Sequence, residues 1–186
     1  MQNKDLKLAL NTYQYIEPYI SQGDKVLDLG SGNGYVAELL NREKNADITC
    51  LDVSDISKNN FKPIIFDGNK IPFEDASFKV VLCSFILHHI PHQVNFLHEI
   101  MRVSSEKAII LEDVKQNPID LFFTTMHKLS SRVRYKSVGM KFHSRKGWKS
   151  IFSENGFHLT DEQAISRKRE YIYPVSRSVF VLSKTP

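Results

Sequence analysis

Gly30-Ser31-Gly32-Asn33-Gly34 is the stretch whose residue types and spacing best suit ligand chemistry. It follows Lys25-Val26-Leu27-Asp28-Leu29, an apolar run of the right length for a buried strand. It leads into Tyr35-Val36-Ala37-Glu38-Leu39-Leu40, which reads as a helix. A strand, a glycine turn and a helix bring backbone N–H groups and the positive end of a helix dipole to one place. Glycine lets the backbone turn sharply and approach a ligand with no Cβ in the way. Asp28 lies inside the strand end, and Asp52 closes the next apolar run, Ile48-Thr49-Cys50-Leu51. A carboxylate about 20 residues beyond the glycines is where nucleotide-binding α/β units accept hydrogen bonds from ribose hydroxyls. A dinucleotide fingerprint would need glycine at position 35, where this chain has Tyr35, so a nicotinamide oxidoreductase is disfavoured.

The elements that must position these groups alternate along the chain. Residues 5–20 read as an amphipathic helix carrying Leu6, Leu8, Leu10, Tyr13 and Ile16, checked near Pro18. Strands are predicted at about 25–29, 48–52, 63–66, 79–84 and 107–112. Helices are predicted at about 34–43, 92–103 (just after Pro91), 118–138 and 144–155, the last ended by Gly156. Strands interleaved with helices argue for an α/β protein, with a parallel sheet covered on both faces. The tail, 157–184, alternates enough for an antiparallel strand pair turning near Pro174.

The length of 186 residues suits one domain with a sizeable core, and the net charge of +4 is modest. No run of about 18 apolar residues occurs, and Met1-Gln2-Asn3-Lys4-Asp5 lacks a signal-peptide pattern, which together suggest a cytoplasmic protein. Cys50 and Cys83 both fall in predicted strands and read as small buried apolar residues, with no disulfide or metal expected of them.

The D-x-G-x-G-x-G pattern over Val26–Leu40 resembles the first motif of class I S-adenosylmethionine-dependent methyltransferases. Later motifs follow in the same order. Phe66-Asp67-Gly68-Asn69, Ile71-Pro72-Phe73-Glu74-Asp75-Ala76-Ser77-Phe78 and Val80-Val81-Leu82-Cys83-Ser84 are similar to that family's D-x-x-x-x-P-F-x-D-x-S-F-D-x-V block. Phe85-Ile86-Leu87-His88-His89 and Leu97-His98-Glu99-Ile100-Met101-Arg102-Val103 continue the likeness, which spans about 25–115 with an echo at 152–157. It is closest to the small-molecule branch, the type 11 methyltransferase domain. The resemblance implies a Rossmann-like, doubly wound, mostly parallel seven-stranded sheet with an antiparallel C-terminal strand. It divides the chain into an N-terminal helix (1–24), a cofactor-binding half (25–115), a substrate cover (116–148) and a C-terminal helix with a strand pair (149–186).

The same resemblance implies S-adenosyl-L-methionine as cofactor and S-adenosyl-L-homocysteine as product. Asp28 would lie near the ammonium of the amino acid end. Gly30, Ser31, Gly32 and Gly34 would pass under the ligand. Asp52, with Val53 beside it, would accept from both ribose hydroxyls. Asp67, with Gly68 and Asn69, would accept from the adenine amino group, and Ser84 and Phe85 would face the cofactor. Three departures from the family pattern stand out. Only fourteen residues separate Asp52 from Asp67, so Ser54–Asn60 can form at most a turn or two where relatives have a helix. Lys79 replaces the usual aspartate, and Ser104-Ser105-Glu106-Lys107 replaces a K-P-G-G turn.

Seven histidines are present. His88 and His89 follow the fourth strand, where the active site opens. They are either imidazoles poised as a general base or a pair that caps the strand and lines the pocket. His88, His89 and His92 lack a cysteine or carboxylate at ligand spacing, so no metal is expected. Residues 117–148 hold the acceptor candidates Phe122, Phe123, His127, Phe142, His143, Arg145 and Trp148. From Leu121 to Ser153 there are eight lysines and arginines and no acidic residue, and Arg167-Lys168-Arg169 follows. That pattern is either a solvated face or a seat for an acidic small molecule; nucleic acid fits less well because no recognised module is present. Leu121–Leu129 followed by Arg132 and Arg134 could also form an interfacial helix. The expected function is methyl transfer to a small-molecule acceptor. The competing readings are a non-catalytic S-adenosylmethionine-binding or regulatory protein, or a methyltransferase acting on RNA or on a lipid or quinone. The oligomeric state is not legible in the sequence.

Overall fold

The computed structural model describes residues 4–135, 140–165 and 175–184, with the side chains of 130–135 excepted. The chain alternates helix and strand: α1 (Lys4–Ile16), β1 (Lys25–Leu29), α2 (Tyr35–Lys44), β2 (Asp47–Asp52), β3 (Ile64–Ile65), β4 (Phe78–Ser84), α3 (Gln93–Val103), β5 (Ser104–Val114), α4 (Pro118–Tyr135), α5 (Arg145–Glu154), β6 (His158–Ile165) and β7 (Ser176–Ser183). These strands make one seven-stranded sheet in the order β3-β2-β1-β4-β5-β7-β6. The first five pair in parallel, whereas β7 runs antiparallel to both β5 and β6. This is the expected doubly wound sheet with an antiparallel C-terminal strand. The turn expected near Pro174 and the basic run Arg167–Arg169 lie outside the described residues.

Side chains alternate across each strand, so the sheet feeds two cores. Val26, Val80, Leu82, Ile109, Leu111 and Val179 face Ile16 of α1 and Leu40 of α2. Leu27, Val81, Cys83, Ala108, Ile110 and Phe180 face Phe96, Leu97 and Ile100 of α3 and Trp148 and Phe152 of α5. Local chemistry sets the helix ends. Pro18 turns the end of the first helix into a 3-10 turn, Glu17–Tyr19. Ser144 caps α5 by accepting from Gly147 N at 3.0 Å, and Gly156, at φ +74°, follows its end. Cys50 and Cys83 lie on β2 and β4, either side of β1, and both are buried.

The three departures have physical outcomes. Residues 53–63 form no helix; they fold instead against the glycine turn, where Lys58 N donates to Asn33 O at 3.0 Å. Lys79 donates to the buried Asp24 carboxylate at 2.7 Å, so a cation at this position satisfies an interior charge. The turn before β5 is absent, because β5 starts at Ser104 directly after α3 ends at Val103. No helix of the described residues is long and apolar enough to cross a membrane.

Candidate functional site

The carboxyl ends of β1, β2 and β4 converge on the glycine turn, the place where open α/β sheets bind ligands. Gly30 N donates to Leu51 O at 2.7 Å, which ties the turn to β2. Asp52 reaches back, its Oδ2 accepting from Gly32 N at 2.9 Å and its Oδ1 from Val53 N at 2.7 Å. Asp52 therefore shapes the turn itself, a role that its spacing in sequence did not reveal. The register pairs Leu29 with Cys83, which brings Ser84 beside Gly30.

Two of the glycines answer to protein neighbours. A Cβ on Gly30 would stand 2.6 Å from Ile86 Cγ2, and one on Gly34 would run into the Asn59 side chain. Gly32 differs. At φ +56°, a Cβ there would meet only Gly30 O, at 3.9 Å. Its glycine is demanded by backbone conformation and by open space in the crevice, not by packing. Ser31 is hydrogen-bonded to the Cys50 side chain, whereas two buried oxygens near the turn lack a protein partner: Asp28 Oδ2 and Ser84 Oγ. Buried polar atoms are normally paired, so orphans at the adjoining ends of β1 and β4 suit a polar ligand. The residues thus fit the cofactor that the resemblance implies: acceptors beneath a cationic amino acid end, and a carboxylate at the end of β2 for hydroxyls.

Burial raises the Asp28 carboxyl to about 7, with the Asp52 charge adding to it. An ammonium partner selects the ionised form. Without ligand, the raised value means that folding stability from this group is present at low pH and lost as pH rises towards 7. Ligand affinity runs the opposite way: it should be level above about pH 7 and fall by up to roughly tenfold per pH unit below it. Calorimetry with S-adenosylmethionine from about pH 5 to 8 checks this, and Asp28→Asn should flatten the slope. A flat profile in the wild type would remove Asp28 from the ligand's charged end.

Asp67 is exposed. Its oxygens accept from Asn69 N at 2.9 Å and Asn69 Nδ2 at 3.1 Å, and these hydrogen bonds hold its carboxyl below the usual range. A Cβ on Gly68 would stand 3.2 Å from Val53 Cγ1, so the Asp67–Asn69 turn adjoins the end of β2. Asp67 also lines an outward groove of about 770 Å³ together with Phe66, Ile71, Phe73, Glu99 and Arg102. That groove lies at the uncovered β3 edge, apart from the glycine turn.

Beyond β4, Phe85 adopts φ +59°, an uncommon conformation for a bulky residue and one that clusters at functional sites. The Arg177 guanidinium lies 4.4 Å over its ring and donates to Asp113 at 2.9 Å. Next comes a 3-10 turn, Leu87–His89. Buried Glu112 organises it, accepting from Leu87 N at 2.8 Å and pairing with His88 Nδ1 at 2.7 Å. Burial opposes charge on His88, but the Glu112 carboxylate outweighs it and raises the imidazole. His89 is pushed down to about 4, by burial first and then by the charges of His88 and His127. His127 of α4 closes on this pair, its ring centroid 5.6 Å from each. The expectation of no metal counted only neighbours in sequence; the fold brings a third histidine from 38 positions away.

The cover segment is pinned to the same turn. Lys141 N donates to His88 O at 3.0 Å, and buried Gln93 bridges Leu87 O and Lys141 O at 2.9 Å each while its Oε1 meets His143 Nε2 at 2.7 Å. Phe142 is buried and stacks on His88 with centroids 4.6 Å apart. Three expected acceptor contacts change role, Phe142 first, since it is buried against His88. Trp148 is 0% exposed and stacks against Phe152, so it belongs to the core. Arg145 is engaged by Glu162 of β6 at 2.6 Å, with Lys149 at 2.9 Å on the other oxygen. The one-signed stretch is thus partly neutralised by a strand the local sequence did not include. Phe122 is exposed, Phe123 and His127 are half-buried, and Arg132, Arg134 and Tyr135 have no described side chains. Arg145→Glu should consequently lower the melting temperature by about 2–4 °C, the effect of about 1 kcal/mol in a chain this long. It should leave S-adenosylmethionine affinity unchanged. A raised KM with an unchanged melting temperature would return Arg145 to the acceptor.

Glu112, Asp113 and Gln93 were missed in the sequence. The acidic pair could have been noticed, since it interrupts the apolar run Ala108–Val114. Gln93 carried no signal.

Residues 27–111 match the methyltransferase domain family. Demethylmenaquinone methyltransferase of Thermotoga maritima is 35% identical over 104 residues, covering 50% of this chain and 45% of that protein. The chain spans about half the length of the curated relatives it matches. Among solved structures, the chain complexed with the Haloferax volcanii Trm112 methyltransferase activator superposes with a TM-score of 0.75 at 17% identity, covering 94% of this chain and 89% of that one. An S-adenosylmethionine-dependent methyltransferase from Aquifex aeolicus gives 0.63 at 16% identity, covering 91% and 87%.

Proposed function

We propose that this chain, which belongs to the class I S-adenosylmethionine-dependent methyltransferases, is an active enzyme that methylates a small-molecule acceptor in the cytoplasm. The observation that carries the reading is the pair of partnerless buried oxygens, Asp28 Oδ2 and Ser84 Oγ, at the adjoining ends of β1 and β4 beside the glycine turn. S-adenosylmethionine supplies a methyl group on a sulfonium, already a good donor. The chain's own work is therefore binding, orientation and exclusion of water. Asp28 holds the ammonium, Asp52 the ribose hydroxyls, and the Asp67–Asn69 turn the adenine. The acceptor lies between Ser84–His89 and α4, where Phe122, Phe123 and His127 border it. His88 is held by Glu112, which makes it a positioned group, and His89 and His127 are the imidazoles nearest the acceptor.

A second reading has its own observation. Ile119, Phe122, Met126 and Leu129 form one stripe along α4 and are 54%, 59%, 49% and 57% exposed. Such an exposed apolar stripe on the cover helix favours an apolar acceptor, a lipid or quinone, and the Thermotoga relative is named for a quinone. A turnover assay that reads S-adenosylhomocysteine release against a metabolite panel, with and without lipid vesicles carrying quinones, tests both. Release with a soluble acceptor supports the first reading, and release only with vesicles supports the second. Tight cofactor binding with no release under any condition would favour the non-catalytic alternative.

A further inference from the structure

We propose that His88, His89 and His127 form a site for a zinc-class divalent transition metal, with one coordination position open to the methyl acceptor. The opening toward an acceptor rests on the function proposed above; metal binding itself does not. Each histidine offers one ring nitrogen, and the three lie within 4.8 Å of one another. Among the described residues, this is the group of histidine, cysteine or carboxylate side chains found able to converge on one ion. A tetrahedral ion with metal–nitrogen bonds of about 2.0–2.1 Å needs its nitrogens about 3.3 Å apart. Small ring rotations, chiefly of the half-buried His127, close that difference.

Two further observations point to a ligand. His88 is 1% exposed, yet its Nε2 has no hydrogen-bond partner. Its Nδ1 is held at 2.7 Å by Glu112, itself 0% exposed. In the neutral tautomer that donates Nδ1–H to the carboxylate, the one a metal selects, Nε2 presents a lone pair. A carboxylate behind an imidazole is the arrangement that orients metal-ligating histidines and raises their basicity. Phe142, stacked on His88, and the Lys141–His88 backbone hydrogen bond fix the ring plane. The structure thus has an oriented, desolvated imidazole grouped with two others, a donor set that suits zinc, nickel, copper or iron(II) more than magnesium or calcium. Three imidazoles leave a fourth position of a tetrahedral ion open. An acceptor hydroxyl or thiol that ligates there gives its proton to solvent more readily, since a bound divalent ion lowers the pKa of its ligand.

The test uses tag-free protein stripped with a chelator and titrated with Zn²⁺ alone, with Co²⁺ as a spectroscopic probe. One zinc per chain is expected, together with the visible absorption of a low-symmetry cobalt site. His127→Gln and His89→Gln should each weaken zinc binding by at least roughly tenfold to hundredfold, whereas His92→Gln on the exposed loop should not. His127 is half-buried on the cover helix and not in the core, so its variant keeps the test valid if His89→Gln fails to fold. Substoichiometric zinc, or His127→Gln binding as tightly as wild type, overturns the site. S-adenosylmethionine titrated into the same samples separates the two claims. Zinc binding without cofactor binding would sink the function proposed above and leave this site standing, and the converse result would do the reverse.

Discussion

Gly32→Val is expected to abolish S-adenosylmethionine binding while the protein stays folded. A valine at φ +56° carries backbone strain of about 1–2 kcal/mol, since the left-handed region crowds Cβ against the carbonyl oxygen. For a chain of this length that strain lowers the melting temperature by roughly 2–8 °C. The loss of binding should be far larger. A Cβ there has room, its nearest contact beyond the chain neighbours being Gly30 O at 3.9 Å, so the added stability cost is mainly the backbone strain. The branched side chain is expected to take up the space that the cofactor needs above the turn and so to compete with it directly. An affinity loss beyond roughly hundredfold, more than about 3 kcal/mol, is expected by calorimetry. Gly30→Val sets the contrast: its Cβ strikes Ile86 at 2.6 Å, and its main effect should be on stability. Near-normal binding of S-adenosylhomocysteine by Gly32→Val would make the turn a structural one and refute the cofactor site.

Asp52→Ala should cost the cofactor roughly tenfold to hundredfold in affinity, or about 1–3 kcal/mol, because two ribose hydroxyls lose their acceptor. The hydrogen bond from Gly32 N to Asp52 adds a second effect, since the alanine variant also releases the turn from β2. Asp52→Asn separates the two. Its amide oxygen can still accept from Gly32 N, so the turn keeps its shape while the charge and one acceptor are lost. Affinity for the asparagine variant should fall between wild type and alanine, with unchanged thermal stability. Equal affinity for all three proteins would take Asp52 out of the site.

Much of the sheet was legible because its signals are local. Apolar runs bounded by glycine, aspartate or serine gave five strands to within a few residues. Pro18 and Gly156 marked the ends of α1 and α5 through their own backbone preferences. The glycine turn and Asp52 were legible for the same reason, since a close backbone approach needs particular residues at fixed spacing. Trp148 and Phe142 misled, because an aromatic residue in an interior and one in a substrate pocket look alike in sequence. Arg145 misled because its partner, Glu162, belongs to a strand that passes beside α5 only after the chain has folded.

By itself the sequence determined the order of strands and helices, the glycine turn with its flanking carboxylates, and the family these motifs resemble. All depend on residues near one another in the chain. Only the tertiary structure decided that His127 joins His88 and His89, that Glu112 stands behind them, and that Gln93 pins the cover to the end of β4. Those contacts join separate strands and helices at the carboxyl ends of the central strands β4 and β5. No local pattern encodes them, because it is the parallel pairing of β4 with β5 and the return of α4 over their ends that put distant side chains within reach.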